Sequence, residues 1–154
     1  AARLNAFHGG EEMFVPYSAE RLAARLARAP DLYGWERLWL ADGAVVGVWP
    51  AGRARRAVSE REDVQTFSEP GVVLDYAFAP GAEAGFEALV RAWCGWLDAR
   101  DMNRLTLLTS PASPGAAQVR ALADDVEAFN HWTPGIPPPP DAAEKGLYID
   151  PIYF

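Results

Sequence analysis

The sequence predicts an α/β fold built on a mixed β-sheet, and two observations lead to that prediction. Two apolar runs on either side of Asp42-Gly43 require an antiparallel hairpin, because so short a turn brings its flanking strands side by side. Farther along, residues 72–109 read as a strand, a long helix and a second strand. Two strands joined by a helix pair in parallel through a right-handed crossover. Both kinds of pairing are therefore expected in one sheet.

The first regular element is predicted to be a helix from Ser18 to Arg28. Ser18 is a typical N-cap, and the leucines that follow it are spaced four residues apart, as on one face of a helix. Pro30 ends the helix because proline lacks the amide proton. Residues 1–17 contain no clear strand pattern and are predicted to be an N-terminal extension, so that the domain itself is expected to span residues 18–154.

The hairpin is the clearest local prediction in the chain. Trp35 to Leu40 and Val45 to Trp49 are rich in residues that favour strands. Asp42-Gly43 between them supplies the positive φ angles that a tight hairpin turn needs.

The rest of the chain is predicted to continue the alternation of strand and helix, ending on a strand. One or two strands are expected first, and the better of them ends at Pro80-Gly81. The predicted elements are strands at Val64–Phe67 and Val72–Phe78, a helix at Ala82–Arg100, a strand at Arg104–Thr109, a helix from Ser113 to Asn130 that buries Val119, Leu122, Val126 and Phe129, and a terminal strand at Leu147–Phe154.

The composition excludes several classes of protein. The 14 basic and 21 acidic residues give a net charge of −7, which disfavours nucleic acid as a partner. No apolar run approaches the roughly 20 residues that a membrane-spanning helix needs, so no membrane partner is expected. Cys94 is the sole cysteine, which excludes an intramolecular disulfide and a multi-thiolate metal cage and fits a reducing, cytoplasmic location. No metal site is expected.

This order of elements resembles the GNAT superfamily of acyl-CoA N-acyltransferases. The likeness lies in the hairpin at residues 40–47, the strand and helix from Val72 through Leu97, and the strand-helix pair from Leu105 through Phe129. The resemblance implies an antiparallel meander followed by a strand whose end splays from its parallel neighbour. It also implies acetyl-CoA as cofactor, with its pantetheine arm in that V-shaped opening, and a small-molecule or peptide amine as acceptor.

In that family the turn after the splayed strand cradles the CoA pyrophosphate with backbone N–H groups at the start of a helix. The corresponding turn here is residues 79–85. It lacks the family's basic residue in either possible register, and Glu83 brings a negative charge toward the phosphates. The resemblance assigns cofactor binding to the small residues of this turn, which are Gly81, Ala82, Ala84 and Gly85. Cofactor binding is therefore expected to be weak or absent.

Catalysis in this family also needs a group that takes a proton from the acceptor ammonium. Asp75, in the predicted strand with Val73 and Ala77 on the same face, is the expected general base, because apolar surroundings raise the pKa of a carboxyl group. The family's usual acid, a tyrosine in the last helix, has no counterpart between Ser113 and Asn130.

Two functions remain open at this point. The first is a non-catalytic partner half of a tandem-domain acetyltransferase, preceded in the parent chain by another GNAT domain. The absence of an initial Met and of the family's first strand favours this interpretation. The second is a competent amine N-acetyltransferase that uses Asp75 as its base.

Overall fold

A four-stranded mixed sheet forms the centre of the protein. The structure is a computed structural model, and it describes residues 1–31, 33–50, 54–55, 67–68 and 70–126. The elements, in chain order, are α1 (Ala2–His8), α2 (Ala19–Arg28), a 3₁₀ turn (Trp35–Arg37), β1 (Leu38–Ala41), β2 (Ala44–Pro50), β3 (Ala54–Arg55), β4 (Phe67–Ser68), β5 (Pro70–Phe78), α3 (Glu83–Asp98), β6 (Arg104–Thr106) and α4 (Ala116–Leu122).

The sheet has the strand order β1-β2-β5-β6, and it contains both kinds of pairing. β1, β2 and β5 pair antiparallel, and β5 pairs parallel with β6 after the crossover through α3. The short strands β3 and β4 form a separate antiparallel pair. The mixed α/β architecture predicted from the sequence is therefore confirmed, whereas the predicted terminal strand at Leu147–Phe154 lies outside the described residues.

The hairpin turn and the first predicted helix follow directly from local sequence. Asp42 and Gly43 adopt φ angles of 40° and 82°, as the two central residues of a tight hairpin turn require. The side chain of Ser18 accepts a hydrogen bond from the backbone N–H of Arg21, which is the predicted N-cap of α2.

Two of the predicted strands are shorter than expected, β1 at its start and β6 at its end. Residues Trp35–Arg37 form a 3₁₀ turn in which the Arg37 amide donates to the Gly34 carbonyl, so β1 starts only at Leu38. β6 ends at Thr106 rather than Thr109. Of the predicted strand at Val64–Phe67, only Phe67 is described, and it belongs to β4.

The helix predicted from Ser113 is shorter than expected. Ser113 does not cap it, since its hydroxyl accepts from the backbone amide of Ser110, and the N-cap of α4 is Gly115 with a φ angle of 73°. α4 ends at Leu122, and Val126, predicted to be buried, is 53% exposed. Residues 127–130 lie outside the described residues.

Apolar side chains cover both faces of the sheet. On one face α1 and α2 bury a cluster that includes Leu4, Leu22 and Leu26. On the other face α3 packs Phe86, Leu89 and Trp93 against the sheet, in agreement with the predicted apolar stripe of that helix.

Candidate functional site

The candidate site is the edge of β5 that lies beyond its pairing with β6. The two strands pair only at Pro70–Arg104, Gly71–Leu105 and Val72–Thr106. From Val73 onward, β5 pairs within the described part of the chain only with β2. The two parallel neighbours are thus joined at one end and separate along the rest of β5.

A β-bulge lies at the point where the pairing between β5 and β6 ends. Gly47 is opposite Asp75 and Val48 is opposite Val73, so Leu74 is an extra residue on β5. As a result, Val73 packs with the α3 cluster while Ala77 packs with the α1 and α2 cluster. The prediction that Val73 and Ala77 share a face is therefore wrong.

His8 binds the edge of β5 within the gap. Its Nε2 atom lies 2.7 Å from the carbonyl oxygen of Tyr76, and because a carbonyl only accepts, Nε2 carries the proton. Its Nδ1 atom shares a hydrogen bond with a carboxyl oxygen of Glu11. Both side chains are buried, with 3% of the His8 side chain and 2% of the Glu11 side chain exposed. A backbone acceptor of a strand is therefore bonded by a side chain of α1.

Phe7 fills the neighbouring space between β5 and the start of α4. Its ring centroid lies 5.6 Å from that of Tyr76 and 4.8 Å from that of Phe78. Gly115 is essential to this packing, because a Cβ there would lie 2.6 Å from the Phe78 ring and 3.0 Å from the Phe7 ring. The gap is thus occupied by aromatic side chains of the same chain.

The Tyr76 side chain links β5 to the segment that follows β6. It donates to the hydroxyl of Thr109, 3.1 Å away, on the segment that follows β6. Burial raises the pKa of the Tyr76 phenol from 10.0 to about 12. Tyr76 therefore remains a neutral hydrogen-bond donor at physiological pH.

In the turn expected to bind phosphate, residues 79–85, at least three amides already have partners. The Ala79 N–H donates to the carbonyl of Gly43 over 3.0 Å. The Gly81 N–H donates to the carboxylate of Glu83 over 3.2 Å, and the Ala82 N–H donates to the carbonyl of Ala79 over 2.9 Å. Gly81 has a φ angle of 82°, which suits glycine. The carboxylate of Glu83 thus takes the position on the Gly81 amide that an external anion would need.

The other small residues of this turn have different surroundings. Ala82 is the N-cap of α3 and makes no side-chain cap bond, and Ala84 is exposed in the first helical turn. Gly85 is buried, and a Cβ there would lie 3.1 Å from the carbonyl oxygen of Asp42 in the β1–β2 turn. The small size of Gly85 therefore serves the close packing of α3 on the hairpin.

Asp75 lies on the opposite side of the sheet from α3, in a network of donors. Its carboxylate accepts from the Tyr33 hydroxyl over 2.7 Å, from Arg25 Nε over 3.3 Å and from the Tyr17 hydroxyl over 3.4 Å. The side chain of Asp75 is fully buried and that of Arg25 is 11% exposed. Burial and the neighbouring carboxylate raise the pKa of Tyr33 well above its usual range. These bonds join α2 and the segments on either side of it to β5.

The structure does not bring the predicted site residues into one cluster. Asp75 faces α2, whereas Gly81, Ala82, Ala84 and Gly85 form the turn that begins α3. The residues that occupy the gap were not among those predicted from the sequence. The spacing of Leu4, Phe7, His8 and Glu11 follows one face of a helix, and it is the signal that could have found them.

Comparisons with known proteins add no relative. No protein-family model matches the chain, and neither the curated proteins nor the solved structures give a match. Among the described residues there is no group of three or more His, Cys, Asp or Glu side chains able to hold a metal ion. In that same part of the chain, no helix has the length and hydropathy needed to cross a membrane.

Proposed function

We propose that this chain is a degenerate GNAT-like domain, a non-catalytic partner half of an acyl-CoA N-acetyltransferase in which acetyl-CoA binding is weak or absent. The observation that carries the proposal is the hydrogen bond from the Gly81 N–H to the Glu83 carboxylate. Backbone amides at the start of a helix bind anions when they are free and when the local charge is positive. Here the Gly81 amide is bonded to the Glu83 carboxylate, a negatively charged group of the domain itself.

The separation of β5 from β6 supports the resemblance to the family. A parallel pair that is joined only at Pro70, Gly71 and Val72 leaves the V-shaped opening in which the resemblance places the pantetheine arm. The side chains of Phe7 and His8 fill this opening. A cofactor arm and these side chains cannot occupy the same space, which favours the non-catalytic interpretation.

The alternative, an active enzyme with Asp75 as general base, requires an amine to reach the Asp75 carboxylate. That carboxylate is fully buried and paired with Arg25. A base that accepts a proton from a substrate must lie within hydrogen-bond reach of it. The alternative therefore needs α2 to move aside, and the Asp75 network favours a role in holding α2 against the sheet.

Calorimetric titration with acetyl-CoA tests the proposal. We expect no heat of binding up to millimolar acetyl-CoA and no acetyl transfer to a panel of small-molecule and peptide amines. Binding in the micromolar range, or turnover that is lost in Asp75→Asn while its fold is retained, would contradict the proposal and support the enzyme.

A second experiment tests the contribution of Glu83 directly. Inorganic pyrophosphate is titrated into Glu83→Ala and into the matched control Glu87→Ala, which removes a carboxylate one turn farther along α3. Two unit charges 4 Å apart interact by about 1 kcal/mol in water, so Glu83→Ala should bind pyrophosphate about fivefold more tightly than the unaltered protein. Equal binding by both variants would remove Glu83 as the reason for weak anion binding.

A further inference from the structure

The N-terminal helix holds the edge of β5 with contacts that are unlike strand pairing. In a sheet, the carbonyl of a mid-strand residue accepts from the backbone of the next strand. The Tyr76 carbonyl instead accepts from the imidazole of His8, which in turn is bonded to Glu11. Replacing a buried ion pair by apolar groups of similar volume is often neutral or stabilising. The polar part of the attachment of α1 is therefore this His8–Glu11 pair rather than a ladder of backbone hydrogen bonds.

The construction of α1 also favours detachment. It has seven residues and no side-chain cap at its N-terminus, and isolated helices of this length are unstable in water. Phe7 and His8 contact β5, and Leu4 is buried in the same cluster as Leu74 and Ala77. Asn5 exchanges two hydrogen bonds with the backbone of Tyr17. α1 contributes no strand to the sheet, so its release from the gap would break no strand pairing.

The surface beneath α1 has the character of a binding site. It offers one backbone acceptor, the Tyr76 carbonyl, between the aromatic rings of Tyr76 and Phe78. The Thr109 hydroxyl stands at the far side of the gap. An extended chain that carries an amide N–H between apolar groups would satisfy this acceptor as His8 does.

We propose that residues 2–11 are a removable plug, and that their release opens the gap beside β5 to an extended amide-bearing ligand of the pantetheine class. This inference rests on the proposed function, because it names what keeps the cofactor site of the degenerate domain closed. On this view the domain is in equilibrium between a closed form, in which α1 occupies the gap, and an open form, in which α1 has left it. Loss of His8 shifts it toward the open form.

The test compares the unaltered protein with His8→Ala by hydrogen exchange and by acetyl-CoA titration. His8→Ala should raise exchange in residues 2–11 at least tenfold and should give a heat of binding with acetyl-CoA below millimolar concentration, where the unaltered protein gives none. Ser18→Ala serves as the matched control, because it weakens the cap of α2 and leaves α1 untouched. If His8→Ala does not fold, Glu11→Gln replaces it, with the same expected results.

The outcomes separate this inference from the proposed function. Exchange in residues 2–11 that rises no more in His8→Ala than in Ser18→Ala would overturn the plug. So would opening of α1 without any gain in acetyl-CoA binding, which leaves the proposed function intact. Micromolar binding by the unaltered protein refutes the proposed function, and if acetyl-CoA also releases α1 in the exchange experiment, the plug is supported.

Discussion

Replacement of Asp75 by Asn should destabilise the domain by about 3–5 kcal/mol, the usual cost of leaving a buried charge without its partner. The carboxylate is fully buried, and the guanidinium of Arg25 beside it is only 11% exposed. Asparagine keeps the size of the side chain but removes the negative charge. It also directs an NH₂ group toward either the Tyr33 hydroxyl and Arg25 Nε or the Tyr17 hydroxyl, all of which donate to Asp75.

Urea unfolding followed by tryptophan fluorescence measures this effect, since the chain contains six tryptophans. The matched control is Glu87→Gln, which removes an exposed ion pair with Arg91 whose side chains are 71% (Arg91) and 45% (Glu87) exposed. Exposed pairs at this helical spacing contribute only about 0.3–0.5 kcal/mol. The Asp75 variant should therefore be the less stable by several kcal/mol.

The same experiment separates a structural role of Asp75 from a catalytic one. Groups held in place for catalysis commonly lower the stability of a fold, and removing them leaves stability unchanged or raises it. If the free energies of unfolding of Asp75→Asn and Glu87→Gln differ by less than about 1 kcal/mol, the Asp75 carboxylate does not hold α2 to the sheet.

Three further predictions follow from single contacts. Gly95→Ala should raise the free energy of unfolding in urea by up to about 1 kcal/mol, because a methyl group there meets nothing within 4 Å. Gly85→Ala, in the same helix, should have a free energy of unfolding at least about 1 kcal/mol lower than that of Gly95→Ala, because its methyl group is crowded against Asp42. Because burial raises the pKa of Tyr76 from 10.0 to about 12, the folded state retains this proton where the unfolded state loses it, and Tyr76 should lower stability by about 2 kcal/mol between pH 10 and 12. Tyr76→Phe should remove that share of the pH dependence in unfolding curves, whereas the share of Tyr33, whose pKa is raised as well, should remain. Ser18→Ala should lower the urea midpoint by an amount equivalent to about 1 kcal/mol; an unchanged midpoint would contradict the cap.

Local sequence was sufficient where one or two residues determine the backbone. Ser18 caps α2, and Asp42-Gly43 forms the hairpin turn because few residues tolerate its positive φ angles. The apolar spacing of α3 likewise identifies its buried face, since Phe86, Leu89 and Trp93 all pack on the sheet. In each case the deciding interaction lies within the element itself or on one continuous face of it.

The sequence could not predict features that depend on contacts between distant segments. The bulge at Leu74 changes which face Val73 occupies, and strict alternation cannot represent an extra residue. Gly115 begins α4 because Phe7 and Phe78 approach it too closely for a side chain, which no local pattern at Ser113 indicates. The role of His8 likewise depends on a carbonyl 68 residues farther along the chain.

On the proposed function, two internal contacts together explain weak cofactor binding better than either does alone. Glu83 occupies the Gly81 amide, and His8 occupies the Tyr76 carbonyl. Acetyl-CoA would have to replace both hydrogen bonds, and each has a net value of about 0.5–1.5 kcal/mol. Their combined effect of about 1–3 kcal/mol corresponds to about a 5- to 150-fold loss of affinity. A variant that lacks both Glu83 and His8 should therefore bind acetyl-CoA more tightly than either single variant, with nearly additive free energies because the two contacts share no partner.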